Sequence, residues 1–425
     1  MLSRLAAFTV RRRRPILIAG AAFFLVAGAL GGNVASHLSS GGFQDPAAES
    51  TKADQALLNT FHTGAPNVVL VVTAKSGDVD DKQVAAQGIA LTKKLSADPD
   101  VVQAFSYWTL GSPPPLKSGD GAQALILARL TRPNTIETLG PELAVDNSVI
   151  SVGVGGRAQI FEQVGTQIEH DLQKAELITF PVVLILLVFV FGSVIAAGLP
   201  LAIGGVSVVG TFLILRAIVS VTPVSIYSLN LTTALGLGLG IDYSLFIVSR
   251  FREELRAGKE PEDALIRTVE TAGKTVAFSA ATVAISLAVL MVFPLYFLRS
   301  FAYAGIAVVA LAALSALLLL PALLAVIGRR IDKWVLFRHH STEPGQGMWH
   351  RIATFVMRRP VPIALSIVVL LLVLGAPFVG VKFGLPDDRV LPESASSRHV
   401  QQDIRDNFSD QEASALSIVA IDSGP

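Results

Sequence analysis

The chain has 425 residues, 34 basic and 33 acidic side chains, and a formal net charge of +1. Hydrophobic residues make up 52% and charged residues only 16%, against about 25% charged in soluble chains, so this is the composition of a membrane protein. The near-neutral balance gives no polyelectrolyte argument for nucleic acid. The lack of cysteine excludes disulfide frameworks, iron–sulfur clusters and thiolate sites, and seven scattered His show no ligand spacing. Neither a cofactor nor a metal is expected, and no enzyme motif (GxSxG, HExxH, EF-hand loop) is found.

Seven apolar runs can each cross a hydrocarbon layer of about 30 Å: 15–35, 177–197, 199–219, 226–249, 275–297, 301–327 and 361–380. The first follows Arg11–Arg14. That pattern also suits a signal peptide, but the repeat described below argues against cleavage. Basic residues gather again at Arg250–Arg267 and at Arg329–Arg359. All three groups fall on one side if every run crosses, and the positive-inside rule makes that side cytoplasmic. The predicted organisation is a cytoplasmic N-terminus with span one (1–35), an extracytoplasmic domain (36–172), spans two to six (173–327), a cytoplasmic loop (328–360), span seven (361–380) and the start of a second extracytoplasmic domain (381–425).

Within 36–172, strands are predicted at 67–74, 101–108, 122–130 and 149–154, with helices at 81–97 and 135–146. The order β-α-β-β-α-β is the split βαβ, ferredoxin-like pattern. Tyr107 and Trp108 could line a substrate path or simply cap the second strand, and the capping reading is preferred. A helix from Arg157 to Glu176 runs into span two. Spans two and three are joined by a very short turn near Gly198 and Pro200.

Span four holds LNLTTALGLGLGIDYSLFIVSR, in which Asp242 is the only acid. A carboxylate at membrane depth costs roughly 2.5–3.5 kcal/mol on insertion scales, so such a group is a functional candidate, here for taking up and releasing a proton. Tyr243 follows it. Gly236, Gly238 and Gly240 precede it, and they are expected to let a second helix approach closely and so place Asp242 inside a bundle. The charged stretch 251–273 is read as a solvated amphipathic helix on the membrane surface. AGKT at Ala272–Thr275 lacks the first glycine of a P-loop, since Thr268 stands there, and no strand precedes it. Ser279, Thr282 and Ser286 form a polar stripe on span five. It could hold water near Asp242 or serve ordinary helix–helix hydrogen bonding.

RLAAFTVRRRRPI at Arg4 returns as RIATFVMRRPVPI at Arg351, an offset of 347 residues. In the same register Ser50 meets Ser397, Phe61 meets Phe408 and Val72 meets Val419. The unit is one helix, one outside domain and five helices, and the seventh span opens a second copy. Parallel repeats of this kind mark transporters. This chain is therefore expected to be the N-terminal portion of a longer protein.

FGSVIAAGLPL at Phe191, LGLGLGIDYSLFIVSRFREEL at Leu235, TAGKTVAFSAATVAISL at Thr271 and LLPALLAVIGRRID at Leu319 resemble the actinobacterial MMPL group of the resistance–nodulation–division (RND) superfamily. The resemblance covers essentially the whole chain, and its second stretch is the most specific. It implies an α-helical polytopic membrane protein, RND-like, with seven transmembrane helices in this chain and an extracytoplasmic α/β ferredoxin-like (βαββαβ) domain. It also implies a twelve-helix exporter in the cytoplasmic membrane, driven by the proton gradient and moving lipids or other hydrophobic molecules. The family's proton relay, an Asp-Tyr pair on the fourth helix, falls on Asp242 and Tyr243. Its second pair lies on a tenth helix, so the missing C-terminal half is a required partner and this chain alone is not expected to transport. Other implied partners are the hydrophobic substrate, protons and membrane lipids. Both a monomer and a trimer stay open. Two rival functions are a lipid- or sterol-sensing scaffold, which need not titrate, and a proton-driven accessory to protein translocation.

Overall fold

The computed structural model describes residues 2–334, 348–381, 387–408 and 419. Among these, seven helices are long and apolar enough to cross a membrane, at the seven predicted places. An amphipathic helix, α1 (Leu2–Arg11), precedes the first span, α2 (Arg13–Gly31). A linker then leads to α3 (Glu49–Asn59). The linker is pinned across the ends of later helices: Ser39 N donates to Val224 O at 2.9 Å and Phe297 N to Gly42 O at 3.2 Å.

The α/β domain follows as β1 (Val68–Ala74), α4 (Lys82–Ser96), β2 (Val101–Ser106), β3 (Gln123–Leu130), α5 (Ile136–Leu143) and β4 (Ile150–Gly155). The sheet order is β2-β3-β1-β4 with every neighbour antiparallel, which is the predicted ferredoxin-like arrangement. Period-2 alternation sends one face of the strands to α4 and α5, where Val84, Leu91, Leu95, Ile136 and Leu143 are buried. Tyr107 and Trp108 belong to this core. The Tyr107 hydroxyl donates to Asp80 Oδ1 at 2.9 Å and the Trp108 indole to Val79 O at 2.9 Å.

Two surface ion pairs give this domain an acid limit. The Asp100 carboxyl is held below its usual 3.8 by a hydrogen bond from Thr135, and then by Arg132. Asp78 is lowered chiefly by Lys117, 2.8 Å away. Both groups are depressed on folding, so their stabilisation is complete above the ordinary carboxyl range and is lost as pH falls through the lowered values. Melting of the domain should therefore be flat from about pH 7 to 5 and fall below about pH 4. Thr135→Val, which removes the larger cause at Asp100, should flatten the acid limb measured by circular dichroism.

Gly156 ends β4 at φ +90°, where a Cβ would lie 2.7 Å from Asn67 O and 2.8 Å from Val69 N. This turn launches α6 (Arg157–Phe191), an uninterrupted 35-residue helix. The predicted boundary at 172/173 thus falls inside one continuous helix. Then come α7 (Val194–Ile218), α8 (Ser228–Arg256), α9 (Pro261–Ala288), α10 (Tyr296–Leu314) and α11 (Leu320–Ile327). A π turn at Ser315–Leu319 links the last two and lies against α7, α8 and α9. Ile203, Ile247, Phe251, Val308, Ala312 and Leu320 lie in the bundle core.

The stretch 251–273 does not form a separate surface helix, and this corrects the sequence reading. It is the end of α8 and the start of α9, joined by a tight turn with Gly258 at φ +87°. Ala264, Leu265, Thr268 and Val269 are buried, and α1 packs on α9. The apolar face that would have lain on lipid is covered by protein instead.

The second repeat opens with α12 (Met348–Arg358) and α13 (Pro360–Gly375), and continues with α14 (Ser396–Asn407). Shifting α1 and α3 by 347 gives 349–358 and 396–406, each within one residue of its counterpart. α14 rests on β4 of the first α/β domain. A Cβ at Gly153 or Gly155 would come within 2.5 Å of a Val400 methyl. Gln163 Oε1 accepts from Ser397 Oγ at 2.5 Å, and Asn407 O accepts from Gly119 N at 3.0 Å. Gly153→Ala should destabilise by about 1 kcal/mol through overpacking. Val400→Ala in the same chain should restore most of that loss, a coupling readable in a double-mutant melting cycle.

Candidate functional site

α8 carries the candidate residues. Its buried positions Thr232, Thr233, Gly236, Leu237, Gly240, Tyr243, Ser244, Ile247 and Val248 recur every three to four residues and face the bundle. Between Asn230 and Phe246 its exposed positions, Asn230, Ala234, Gly238, Asp242 and Phe246, lie four apart. They form one stripe along the opposite face.

Asp242 is therefore on an open face and not inside the bundle of the described helices, which corrects the expected burial. It makes no hydrogen bond or ion pair among the described residues. Tyr243, one residue on, is rotated about 100° around the helix, since there are about 3.6 residues per turn. It is 3% exposed, and its hydroxyl has no hydrogen-bond partner among the described residues. The two side chains are neighbours in sequence that point to different surroundings, and no phenol–carboxylate hydrogen bond joins them.

The three glycines also divide. A Cβ at Gly240 would sit 2.5 Å from Gly204 Cα, and one at Gly236 would sit 2.5 Å from a Val208 methyl. These two let α7 and α8 touch backbone to backbone. Gly238 meets nothing within 4 Å, so its expected role in packing is not realised within this chain. On α9, Thr282 and Ser286 are exposed, and each donates to its own helix, to Phe278 O and Thr282 O, both at 2.9 Å. Ser279 is half-buried. The ordinary reading of that stripe, hydroxyls satisfied within the helix, holds for Thr282 and Ser286.

Glu176, on α6, is the last acid before the apolar run of span two. It accepts a hydrogen bond from Thr233 on α8 at 3.4 Å. Thr233 lies nine residues from Asp242, about 14 Å along the helix at 1.5 Å per residue. Only the hydrogen bond between Thr233 on α8 and Glu176 on α6 reveals it.

The described residues contain no group of three or more His, Cys, Asp or Glu that could hold a metal. The family model for MMPL proteins matches residues 42–363. The chain belongs to the MMPL family. With its seven apolar helices it is a multi-pass bacterial membrane protein.

A membrane protein of Streptomyces coelicolor is 35% identical over 419 residues, covering 96% of this chain and 58% of that protein. The trehalose monomycolate exporter MmpL3 of Mycobacterium tuberculosis is 30% identical over 450 residues, covering 97% of this chain and 48% of its own. The mycolic acid-containing lipids exporter MmpL11 of Mycolicibacterium smegmatis is 31% identical over 364 residues, covering 83% and 38%. The chain thus spans about half the length of the curated relatives it matches.

Proposed function

We propose that the whole protein exports lipids or other hydrophobic molecules across the cytoplasmic membrane at the expense of the proton gradient, with Asp242 carrying the proton. The observation that carries this reading is the placement of Asp242. It is the single acid on a membrane-deep stripe whose neighbours one turn away, Gly238 and Phe246, leave it open. An unpaired carboxyl group at that depth is costly, and a helix of the second repeat would cover it. Gly238 and Ala234 leave room for such a helix to come close. Moving one charge through 100 mV supplies about 2.3 kcal/mol, enough to bias a two-state carrier. The hydrophobic substrate class is supported by the two relatives named as lipid exporters.

The proposed orientation places the α/β domain outside and α1, the α8–α9 turn and α12 in the cytoplasm. Basic residues cluster there, and Arg13–Glu262 and Arg329–Glu260 ion pairs tie α2 and the segment after α11 to the start of α9. A single cysteine at Ser76, exposed after β1, should react with an impermeant maleimide in intact cells. Labelling only after the membrane is opened would reverse the orientation. A lipid-sensing scaffold is separated from an exporter by titration: a protein that senses without transport has no need for Asp242 to exchange a proton.

A further inference from the structure

We infer that each repeat opens with a seat for an anionic phospholipid, formed where a short amphipathic helix turns into a span: at α1–α2 around Arg12 and at α12–α13 around Arg359. The two elbows are built alike. Phe8, Arg12, Pro15 and Ile16 return unchanged as Phe355, Arg359, Pro362 and Ile363, each 347 residues on. Arg12 and Arg359 both interrupt the helix, at φ/ψ of −106°/23° and −135°/56°. Phe8 is 54% exposed and Phe355 57%.

At the second elbow these side chains line a groove of about 320 Å³. Phe355 comes from α12 and Arg359 from the turn, and Ile363, Ser366 and Leu370 carry the groove down one face of α13. Eleven residues separate Arg359 from Leu370, about 16 Å at 1.5 Å per residue. An arginine at the end of a span with an apolar channel below it matches the order of groups in a phospholipid.

The first elbow shows how much of such a groove the other helices of a repeat cover. α7 and the π turn close the deep end. A Cβ at Gly210 would lie 2.8 Å from the Phe23 ring, and one at Gly20 would lie 2.6 Å from a Leu319 methyl. Phe23 and Gly20 are the counterparts of Leu370 and Ile367. Phe8, Arg12, Pro15 and Ala19, the counterparts of Phe355, Arg359, Pro362 and Ser366, stay exposed with spans two to six in place.

Charge selects the occupant. The positive-inside rule accounts for basic residues near the end of a span, but not for an aromatic ring kept four residues before the same arginine. Arg13, whose counterpart is Pro360, is paired with Glu262 at 3.4 Å. Arg12 and Arg359 have no ion pair among the described residues, and no acid lies within 348–380. A guanidinium unmatched by protein suits a phosphate, which it can bind through two parallel hydrogen bonds. The ring and the aliphatic side chains beyond it suit the first part of an acyl chain. A zwitterionic lipid brings its own cation, so the preference runs to a net negative headgroup. The seat does not depend on export. The orientation proposed above puts both seats in the cytoplasmic leaflet, whose anionic lipids attract basic segments.

The test is native mass spectrometry of the whole protein, stripped of lipid in detergent and titrated with palmitoyl-oleoyl phosphatidylglycerol or the matching phosphatidylcholine. The expected result is two tightly held phosphatidylglycerol molecules per chain, with phosphatidylcholine weaker at both seats. Arg12→Gln and Arg359→Gln should each weaken one seat about fivefold, and the pair should weaken both. Arg11→Gln with Arg358→Gln removes the same charge one residue away and should cost less. Phe8→Ala with Phe355→Ala should weaken both seats with every charge intact. Equal binding of the two lipids by the unaltered protein, a comparison that needs no variant, would overturn the inference. So would equal losses from the two paired arginine variants, or displacement of the lipid by inorganic phosphate at the same concentration.

Discussion

Asp242→Asn in the whole protein is expected to abolish the proposed export while leaving abundance and membrane insertion at the normal level. The amide keeps the shape of the carboxyl and can still hydrogen-bond, but it cannot exchange a proton. Asn is also cheaper to insert than Asp, so lost transport would not trace to misfolding. Because Asp242 has no hydrogen-bond or ion-pair partner among the described residues, its replacement breaks no such bond among them. Tyr243→Phe removes a buried hydroxyl that has no hydrogen-bond partner among the described residues, and it should be mild for stability. Export by each variant is measured in vesicles carrying an imposed proton gradient, with an uncoupler as the zero point. An Asn variant that exports at the wild-type rate and still stops with the uncoupler would move the proton carrier to another residue.

The second large effect is expected at Gly240. Even a methyl group there would lie 2.5 Å from Gly204 Cα and 2.8 Å from Gly204 N, against carbon contacts of about 3.5–4.0 Å. Those atoms are backbone, so no side-chain rotation relieves the clash, and α7 and α8 must separate by about 1 Å. Overpacking of this kind costs about 1–3 kcal/mol, and more where backbone must shift. Gly240→Ala should therefore lower the melting temperature of this chain in detergent. Gly238→Ala, two residues away, should leave it unchanged or raise it, because the site is open and alanine is favoured over glycine in a helix by about 1 kcal/mol. In the whole protein the sign at 238 is expected to reverse, with export falling as the added methyl group meets the covering helix. Equal melting temperatures for the two alanine variants would contradict the close α7–α8 contact.

Much of this architecture was legible because its causes are local. A run of about 20 apolar residues has one solution in a bilayer, so spans appear wherever such runs occur. Alternation over NVVLVVTA and the helical spacing of Val84, Leu91 and Leu95 gave the α/β domain its order of elements. The sheet order then follows from the few crossovers open to a split βαβ pattern. The offset of 347 residues predicted a second copy, and α12 and α14 fall in that register.

What a residue faces is not local. Gly236, Gly238 and Gly240 are indistinguishable in sequence, yet two of them meet a neighbouring helix and one meets nothing. Asp242 and Tyr243 read as a pair, but adjacent positions on a helix point about 100° apart, so the bundle buried one and exposed the other. The stretch 251–273 has the charge pattern of a surface helix, and only its packing against α1, α8 and α11 made it part of a packed hairpin. Glu176 became visible only through its hydrogen bond with Thr233 on α8. The seat of α14 on the first domain was likewise hidden, since no pattern within residues 396–407 says which of two similar sheets they will cover. Composition and periodicity fixed the elements, because each element's own hydrogen bonds and apolar surface decide it. Tertiary packing fixed the faces, because a side chain's neighbours come from segments far away in the chain.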